Sequence, residues 1–350
     1  MSKLRIAVLF GGRSGEHEIS IRSAASLIAA LDRAKYEIIP VAISQEGRWL
    51  SPAESQALLP AEAAAELSTE TAVTVSADPG ASIGADVVFP VLHGTFGEDG
   101  TVQGLLELAD VAYVGAGVLG SACGMDKDVM KRLFRERGLP TAPHLALLRG
   151  EIEERFPEVE SRFGYPVFVK PANLGSSVGI SRAADAEALT RALRKAAEFD
   201  RKIVVEPEIQ GREIECAVLG NDRPEASLPG EIVVASGFYD FETKYVSDDA
   251  RLVIPAELSE EQIAEARRLA VEAFETVECS GLARVDFFLE ESSARFLLNE
   301  VNTMPGFTSI SMYPKLWAAT GLPYAELVDR LIELARERHA EKARTRFSRG

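Results

Sequence analysis

Ala283-Arg284-Val285-Asp286-Phe287-Phe288 and Asn299-Glu300-Val301-Asn302, separated by the polar run Glu290–Ala294, decide how this chain is read. Ala283–Leu289 and Arg295–Val301 have the apolar content of strands, and the short polar run between them makes an antiparallel hairpin. A symmetric register pairs Asp286 with Glu300 and Arg284 with Asn302. The twofold period of a strand then puts all four side chains on one face. Two carboxylates and an amide oxygen beside an arginine form a hard-oxygen site, suited to Mg²⁺ that also holds phosphate oxygens. The alternative is a solvated, salt-bridged face, but four polar side chains on an otherwise apolar hairpin need compensation wherever they are buried.

Working outward, Lys170-Pro171-Ala172-Asn173-Leu174-Gly175-Ser176-Ser177-Val178-Gly179 is a strand that ends in lysine and runs into a Gly/Ser loop. Glycines let backbone N–H groups approach phosphate oxygens, and the hydroxyls of Ser176 and Ser177 add donors. The loop reads as a phosphate lid or as a flexible turn. No GxxxxGK[ST] occurs, so it is not a P-loop. Val167–Lys170, a helix near Asp185–Phe199, Lys202–Glu206 and Glu213–Leu219 make a small strand, loop, helix and strand unit. It is preceded by a helix capped at Asp126 and closed by Gly138 and Pro140, which places a boundary around 120–125. A helix over Glu260–Val277 leads into the hairpin, and Leu327, Leu331 and Leu334 mark a C-terminal helix.

The first part of the chain has another character. Arg5–Phe10 is a buried strand stopped by Gly11-Gly12, after which Ile21, Ala24, Ile28 and Leu31 recur at helical spacing. Ile38–Ile43 and Val87–Leu92 are further strands of a mostly parallel, helix-covered sheet, whose ligand chemistry sits at the strand ends. Ser51–Glu70, rich in Ala and Glu, reads as a solvated helix or a surface insertion. In Gly11–Glu18, Glu16 or Glu18 can hold an ammonium group, or both are partners of the helix dipole. His93–Gly100 joins a histidine to paired acids, as a site or as a polar turn capping the helix near Thr101. Gly115-Ala116-Gly117-Val118-Leu119-Gly120 matches GxGxxG, but it follows several strands, and ~20 residues on lies a charged helix instead of an acid ending a strand. It reads as a tight turn with close helix packing. Tyr239–Tyr245 sets a lysine among aromatics in a loop able to cover a ligand.

The chain has 350 residues, enough for two or three domains. Its 46% apolar and 26% charged content is that of a globular protein and disfavours disorder. With 38 basic against 54 acidic residues the net charge is −16, which argues against nucleic acid as a partner. Cys123, Cys216 and Cys279 are widely spaced and suggest neither a disulfide framework nor a zinc site, so a reducing cytoplasm is expected. No stretch has the apolar length of a signal core or a membrane span.

Taken together, GGRSGEHEIS at 11–20, HGTFGEDGTVQG at 93–104, GMDK at 124–127, KPANLGSSVGI at 170–180, YDFETKY at 239–245, ARVDFF at 283–288 and NEVNTMPGFTSISMYP at 299–314 resemble the D-alanine-D-alanine ligases of the ATP-grasp superfamily. The motifs span nearly the whole chain, and their order is itself specific. The resemblance implies an α/β protein, α+β in its ATP-grasp part. A Rossmann-like preATP-grasp domain would occupy 1–124, a small central subdomain forming the nucleotide lid 125–212, and a C-terminal subdomain with the Mg, phosphate and substrate site 213–350. The implied reaction activates one D-alanine carboxylate as an acyl phosphate with ATP. The amine of a second D-alanine then attacks it, giving dipeptide, ADP and phosphate for peptidoglycan synthesis. A cytoplasmic homodimer without membrane insertion is expected.

Carried over by motif, the resemblance makes Asp286, Glu300 and Asn302 ligands of two Mg²⁺ ions, with Mn²⁺ a possible substitute. It gives Lys127 and Lys170 the α- and β-phosphates, Lys244 the transferred phosphoryl group, and Ser176 and Ser177 places in the lid. Glu206 matches the adenine-contacting acid, Pro207 and Ile209 the backbone at the adenine edge, and Glu213 the ribose acid. Pro207 has no N–H, so only its carbonyl can serve. Arg284 and the Gly306 N–H resemble an oxyanion hole. Glu16 resembles the anchor of the first D-alanine's ammonium, and Ser311 with the Met312 N–H the carboxylate site of the second. Glu16, Ser176 and Tyr245 match a hydrogen-bonded triad that closes the lids, and His93 matches a substrate-site histidine. Tyr245 also argues against the D-lactate-using variant of the family.

Overall fold

The computed structural model describes residues 3–65, 67, 84–175, 178–234 and 250–346. Its strands fall into three sheets. In the first, β1 (Leu4–Gly11), β2 (Tyr36–Ile43), β3 (Val87–Pro90) and β4 (Ala112–Tyr113) run parallel in the order β2-β1-β3-β4. The strands are continuous apolar runs because both faces are covered. Ile6, Val8 and Phe10 meet Ala24, Leu27 and Ile28 of the helix His17–Ala30, while Ala7 and Leu9 lie with Val102 and Leu106 of the helix Thr101–Leu108.

Two expectations for this region are sharpened by packing. Ser51–Glu70 is not simply solvated: Ser51 and Glu54 form a capping box on the helix Pro52–Ala57, and Leu59, Ala63 and Leu67 enter the core. Residues 66 and 68–70 lie outside the described residues. The GxGxxG stretch is a turn with close packing, as its context implied. Gly115 has φ +99°, and a Cβ on Gly120 would lie 2.4 Å from the Glu278 carbonyl oxygen and 3.2 Å from Cys279 Cα. Both obstacles are backbone, so Gly120→Ala is expected to lower stability by about 1–3 kcal/mol. A melting temperature equal to that of the parent chain would count against this contact.

The second sheet is small and antiparallel: β5 (Leu145–Leu148), β6 (Val167–Pro171), β7 (Ser181–Ala183) and β8 (Lys202–Pro207), in the order β5-β8-β6-β7. Strand alternation divides its faces. Leu145, Leu147, Val167, Val169, Ile203 and Val205 pack on Val159, Leu189 and Leu193 of the helices Ile152–Phe163 and Ala186–Phe199. Phe168, Lys170, Val204 and Glu206 are left to face the other way.

The third sheet contains β9 (Gly211–Gly220), β10 (Glu225–Ala226), β11 (Gly230–Val234), β12 (Ala250–Val253), β13 (Gly281–Glu290) and β14 (Phe296–Asn302). Its order is β12-β11-β9-β13-β14, with β10 also on β9 and every pairing antiparallel. Ile214, Cys216, Val285, Phe287 and Leu298 form its core with Leu269, Ala273 and Phe274 of the helix Glu260–Thr276. The chain enters the second sheet along β14, where the Leu298 N–H donates to Pro140 O at 2.8 Å and Thr141 Oγ1 to Leu298 O at 3.0 Å.

Candidate active site

The hairpin has the expected register: Asp286 lies opposite Glu300, and Arg284 opposite Asn302. A bulge interrupts it between Asp286 and Phe287, where the partner steps from Glu300 to Leu298. The extra residue keeps both Asn299 and Glu300 out of the core, while Leu298 and Val301 enter it. On its other side Asp286 faces Glu215 of β9, so Glu215, Asp286 and Glu300 form a row across three neighbouring strands.

Arg284 answers part of that charge. Its Nε and Nη2 each donate to Asp286 at 2.7 Å, and Nε lies 3.0 Å from Glu215 Oε2. Burial opposes the guanidinium's charge, but Asp286 and Glu215 outweigh it and hold Arg284 well above its ordinary pKa. The row offers carboxylate and amide oxygens, the hard donors that a divalent cation such as Mg²⁺ takes, although among the described residues no three acidic, histidine or cysteine side chains stand together as a preformed metal set. Sequence reasoning passed over Glu215, although the alternation of Gly211-Arg212-Glu213-Ile214-Glu215-Cys216 puts Glu213 and Glu215 on the same face.

Cations gather across the cleft. The helix Lys127–Arg137 starts at Asp126, whose side chain accepts the N–H groups of Asp128 and Val129, and its i, i+4 spacing puts Lys127 and Lys131 on one face. Lys127 Nζ donates to Leu174 O at 2.7 Å and lies 3.5 Å from Glu300 Oε2. Lys170 Nζ donates to Glu206 Oε2 at 2.6 Å and reaches Asn299 Oδ1 at 3.3 Å. Lys131 Nζ, which the sequence did not single out, sits 2.8 Å from Glu206 Oε1. Burial alone would raise the Glu206 carboxyl, but the two ammonium groups hold it far below the usual range. For Lys131 burial prevails and its pKa falls. For Lys170 Glu206 prevails over burial and its pKa rises.

The loops after β1 and β3 close a third side. Glu16 is buried at the start of the helix His17–Ala30, yet its side chain makes no capping bond, whereas Glu18 is exposed. A Cβ on Gly94 would come within 2.9 Å of Glu16 Oε2. A Cβ on Gly175, in the loop after β6, would lie 3.3 Å from the same oxygen and 3.2 Å from Glu98 Oε1, so this loop meets two carboxyl groups at one point. Glu98 Oε1 accepts the Gly94 N–H at 2.7 Å, and burial with the nearby Glu16 charge pushes its carboxyl up to about 8.

His93 is buried between two partners, Met304 O 3.1 Å from Nδ1 and Ser23 Oγ 3.1 Å from Nε2. A carbonyl can only accept, so Nδ1 carries the hydrogen and Nε2 accepts from the serine. Burial lowers the imidazole's pKa and favours this neutral form. His93 thereby anchors the segment after β14, where the Met304 N–H also donates to Asn302 Oδ1 at 3.1 Å. Further along, the Thr308 N–H donates to Ser311 Oγ at 3.1 Å, a Cβ on Gly306 would sit 3.2 Å from that oxygen, and Met312 opens the helix Met312–Thr320. Gly306, Ser311 and Met312 are therefore one cluster.

Pro207 and Ile209 lie half-buried where the chain passes from β8 to β9, and Glu213 stands on β9 opposite Phe288. Ser176, Ser177, Lys244 and Tyr245 lie outside the described residues.

The family described as D-ala D-ala ligase N-terminus matches residues 5–116, and the one described as D-ala D-ala ligase C-terminus matches residues 133–333. A D-alanine--D-alanine ligase of Solibacter usitatus is 54% identical over 99% of this chain and 100% of its own length. The solved D-alanine-D-alanine ligase of Coxiella burnetii shares 42% identity at a TM-score of 0.83, covering 97% of each chain. A D-Ala:D-Ser ligase of Enterococcus faecalis shares 37% at a TM-score of 0.85, covering 95% of this chain and 100% of that one. Matched along nearly its whole length in sequence and in fold, the chain belongs to the D-alanine-D-alanine ligase family.

Proposed function

We propose that this chain joins two D-alanine molecules into D-alanyl-D-alanine at the expense of ATP, for peptidoglycan synthesis, through the cleft between its second and third sheets. The observation that carries the reading is the acid row of Glu215, Asp286 and Glu300 facing Lys127 and Lys170, with Arg284 at its centre. Asp286, Glu300 and Asn302 would hold the metal, two Mg²⁺ ions or Mn²⁺ in their place. When bound, the metal neutralises charge on the phosphates.

Each cluster has a part in the reaction. Lys127 and Lys170 hold the α- and β-phosphates, and Ser176, Ser177 and Lys244 complete the phosphate lid. Glu206, with the backbone of Pro207 and Ile209, lines the adenine pocket, and Glu213 takes the ribose. Glu16 receives the ammonium of the first D-alanine beside neutral His93, which fixes the Met304 carbonyl and so the turn bearing Gly306. Arg284 and the Gly306 N–H meet the oxyanion formed when the second amine attacks the acyl phosphate. Ser311 and the Met312 N–H position that second molecule by its carboxylate. Glu16, Ser176 and Tyr245 shut the lids and exclude water. Catalysis rests on positioning and electrostatics, with no covalent enzyme nucleophile.

A division into 1–124, 125–212 and 213–350 is supported by the three sheets, whose strands fall within 4–113, 145–207 and 211–302, with β9 beginning two residues ahead of the last boundary. The protein is taken to act as a cytoplasmic homodimer. No helix among the described residues is long and apolar enough to cross a membrane.

Phosphate release with Mg-ATP is expected to require D-alanine, to stop with EDTA and to return with Mg²⁺ or Mn²⁺. Mass analysis should show D-alanyl-D-alanine as the product even when D-lactate or D-serine is offered. ATP binding without D-alanine-dependent release would overturn the reading in favour of a regulator. A mainly D-lactate or D-serine product would reassign the second substrate.

A further inference from the structure

Lys131 has no part in the chemistry above, yet it is only 1% exposed and points its amine at Glu206 from within the protein, behind the cleft. We propose that Lys131 is a positioning residue whose fixed charge holds Glu206 while Lys170 leaves that carboxylate for the nucleotide's phosphates. The proposal rests on the nucleotide-site reading of the cleft.

The geometry gives the two lysines unequal freedom. Glu206 is gripped from both sides, Oε1 by Lys131 at 2.8 Å and Oε2 by Lys170 at 2.6 Å. The Lys131 side chain is 1% exposed, on a helix face packed into the protein, whereas Lys170 is 10% exposed and already touches Asn299 on the bulged strand across the cleft. Of the two ammonium groups that of Lys170 is the more exposed and the one already turned toward the bulged strand, so a polyphosphate in the cleft would meet Lys170 first. When Lys170 turns to phosphate, Glu206 stays buried with one cation. Breaking a buried pair is costly because it leaves an uncompensated charge. Lys131 removes that cost. Without it, Lys170 is the sole partner of a buried anion and remains on it, out of the phosphates' reach.

The effect on ligands is therefore selective. Lys131→Met is expected to weaken ADP binding about tenfold or more while adenosine, which has no phosphate to draw on Lys170, changes less than about threefold. Removing the anion as well should reverse the defect: Lys131→Met with Glu206→Gln frees Lys170 and should bring ADP affinity back to within about threefold of Glu206→Gln alone. A lysine with a merely structural role predicts the opposite, since a second change in a damaged core adds to the loss.

The test is calorimetric titration of ADP and adenosine into the full chain carrying each variant. Equal weakening of both ligands in Lys131→Met, or no weakening of ADP, overturns the proposal. If Lys131→Met does not fold, the charge-neutral double variant decides: parity with Glu206→Gln supports the proposal, and an ADP affinity more than about tenfold lower overturns it. Parent chain that binds ADP no more tightly than adenosine would overturn the nucleotide-site reading itself, and the proposal with it.

Discussion

Arg284→Ala is expected to lower kcat by about a hundred- to a thousandfold while leaving ATP affinity within about threefold. The asymmetry comes from timing. An oxyanion donor meets its charge only during reaction, so its loss is felt in the transition state and hardly in the ground state. Arg284 is well placed for such preorganisation, since two bonds of 2.7 Å to Asp286 and a contact of 3.0 Å to Glu215 fix the guanidinium plane before any ligand arrives. The same change leaves the acid row without its internal cation, so a stability loss of about 3–5 kcal/mol is expected as well. Arg284→Lys separates the two effects: it restores the charge but not the forked donor geometry, so stability should recover more than turnover. Steady-state kinetics with parallel ATP binding checks both variants. A normal kcat in Arg284→Ala would remove this residue from the mechanism.

Glu98→Gln is expected to make the unliganded protein more stable at pH 8 than the parent chain, with little difference at pH 4.5. The folded carboxyl titrates near about 8 because of burial and the neighbouring Glu16, against an ordinary value of 4.5. Between those values the unfolded chain has released a proton that the folded chain keeps, so stability falls as pH rises through the window and the loss is complete above it. The full swing is on the order of 5 kcal/mol. Glutamine has no proton to release, and its carbonyl can still accept the Gly94 N–H. Denaturant midpoints in EDTA from pH 4.5 to 8.5 provide the measurement, and parallel curves for the two proteins would show that Glu98 is ionised in the folded state. His93 acts in a different window. Burial keeps it neutral while the unfolded imidazole takes a proton near 6.5, so it removes stability as pH falls below that value. Both proteins share this acid-side loss, and it cancels in the comparison.

The sequence made the hairpin legible because period two and a short polar connection leave few registers, and the Asp286 to Glu300 pairing follows from symmetry alone. The bulge at Asn299 was not legible, since an extra residue in one strand is a property of backbone pairing that composition does not report. The parallel strands of the first sheet were readable as unbroken apolar runs. Ser51–Glu70 was harder, because alanines give little contrast between a solvated face and one that buries Leu59 and Ala63. Lys131 in an amphipathic, strongly charged helix looks like any surface lysine, and only the fold brings Glu206 to it. Glu98 was noticed as part of a polar loop, but its raised pKa depends on burial first and then on Glu16, which is distant in sequence. Lys170 and Glu206 were assigned to phosphate and adenine separately. That they bind each other was invisible until β6 and β8 were placed side by side.

The antiparallel pairing of β5 with β8 sets Leu145 opposite Val205. Just outside it, both crossing points are tied to the same hairpin, Leu298 N–H to Pro140 O at 2.8 Å and Glu291 N–H to Gln210 O at 3.0 Å. The second sheet is thus a cassette whose two ends emerge side by side from a single dock. Segments with adjacent ends can be removed or exchanged with little strain on what remains. Excising 146–204 and closing the gap with a short linker leaves every ladder of the other two sheets intact. The cassette carries Lys170 and leaves Lys127, Lys131 and Glu206 behind, so a relative's segment grafted in its place must present an ammonium to a Glu206 carboxylate already held by Lys131.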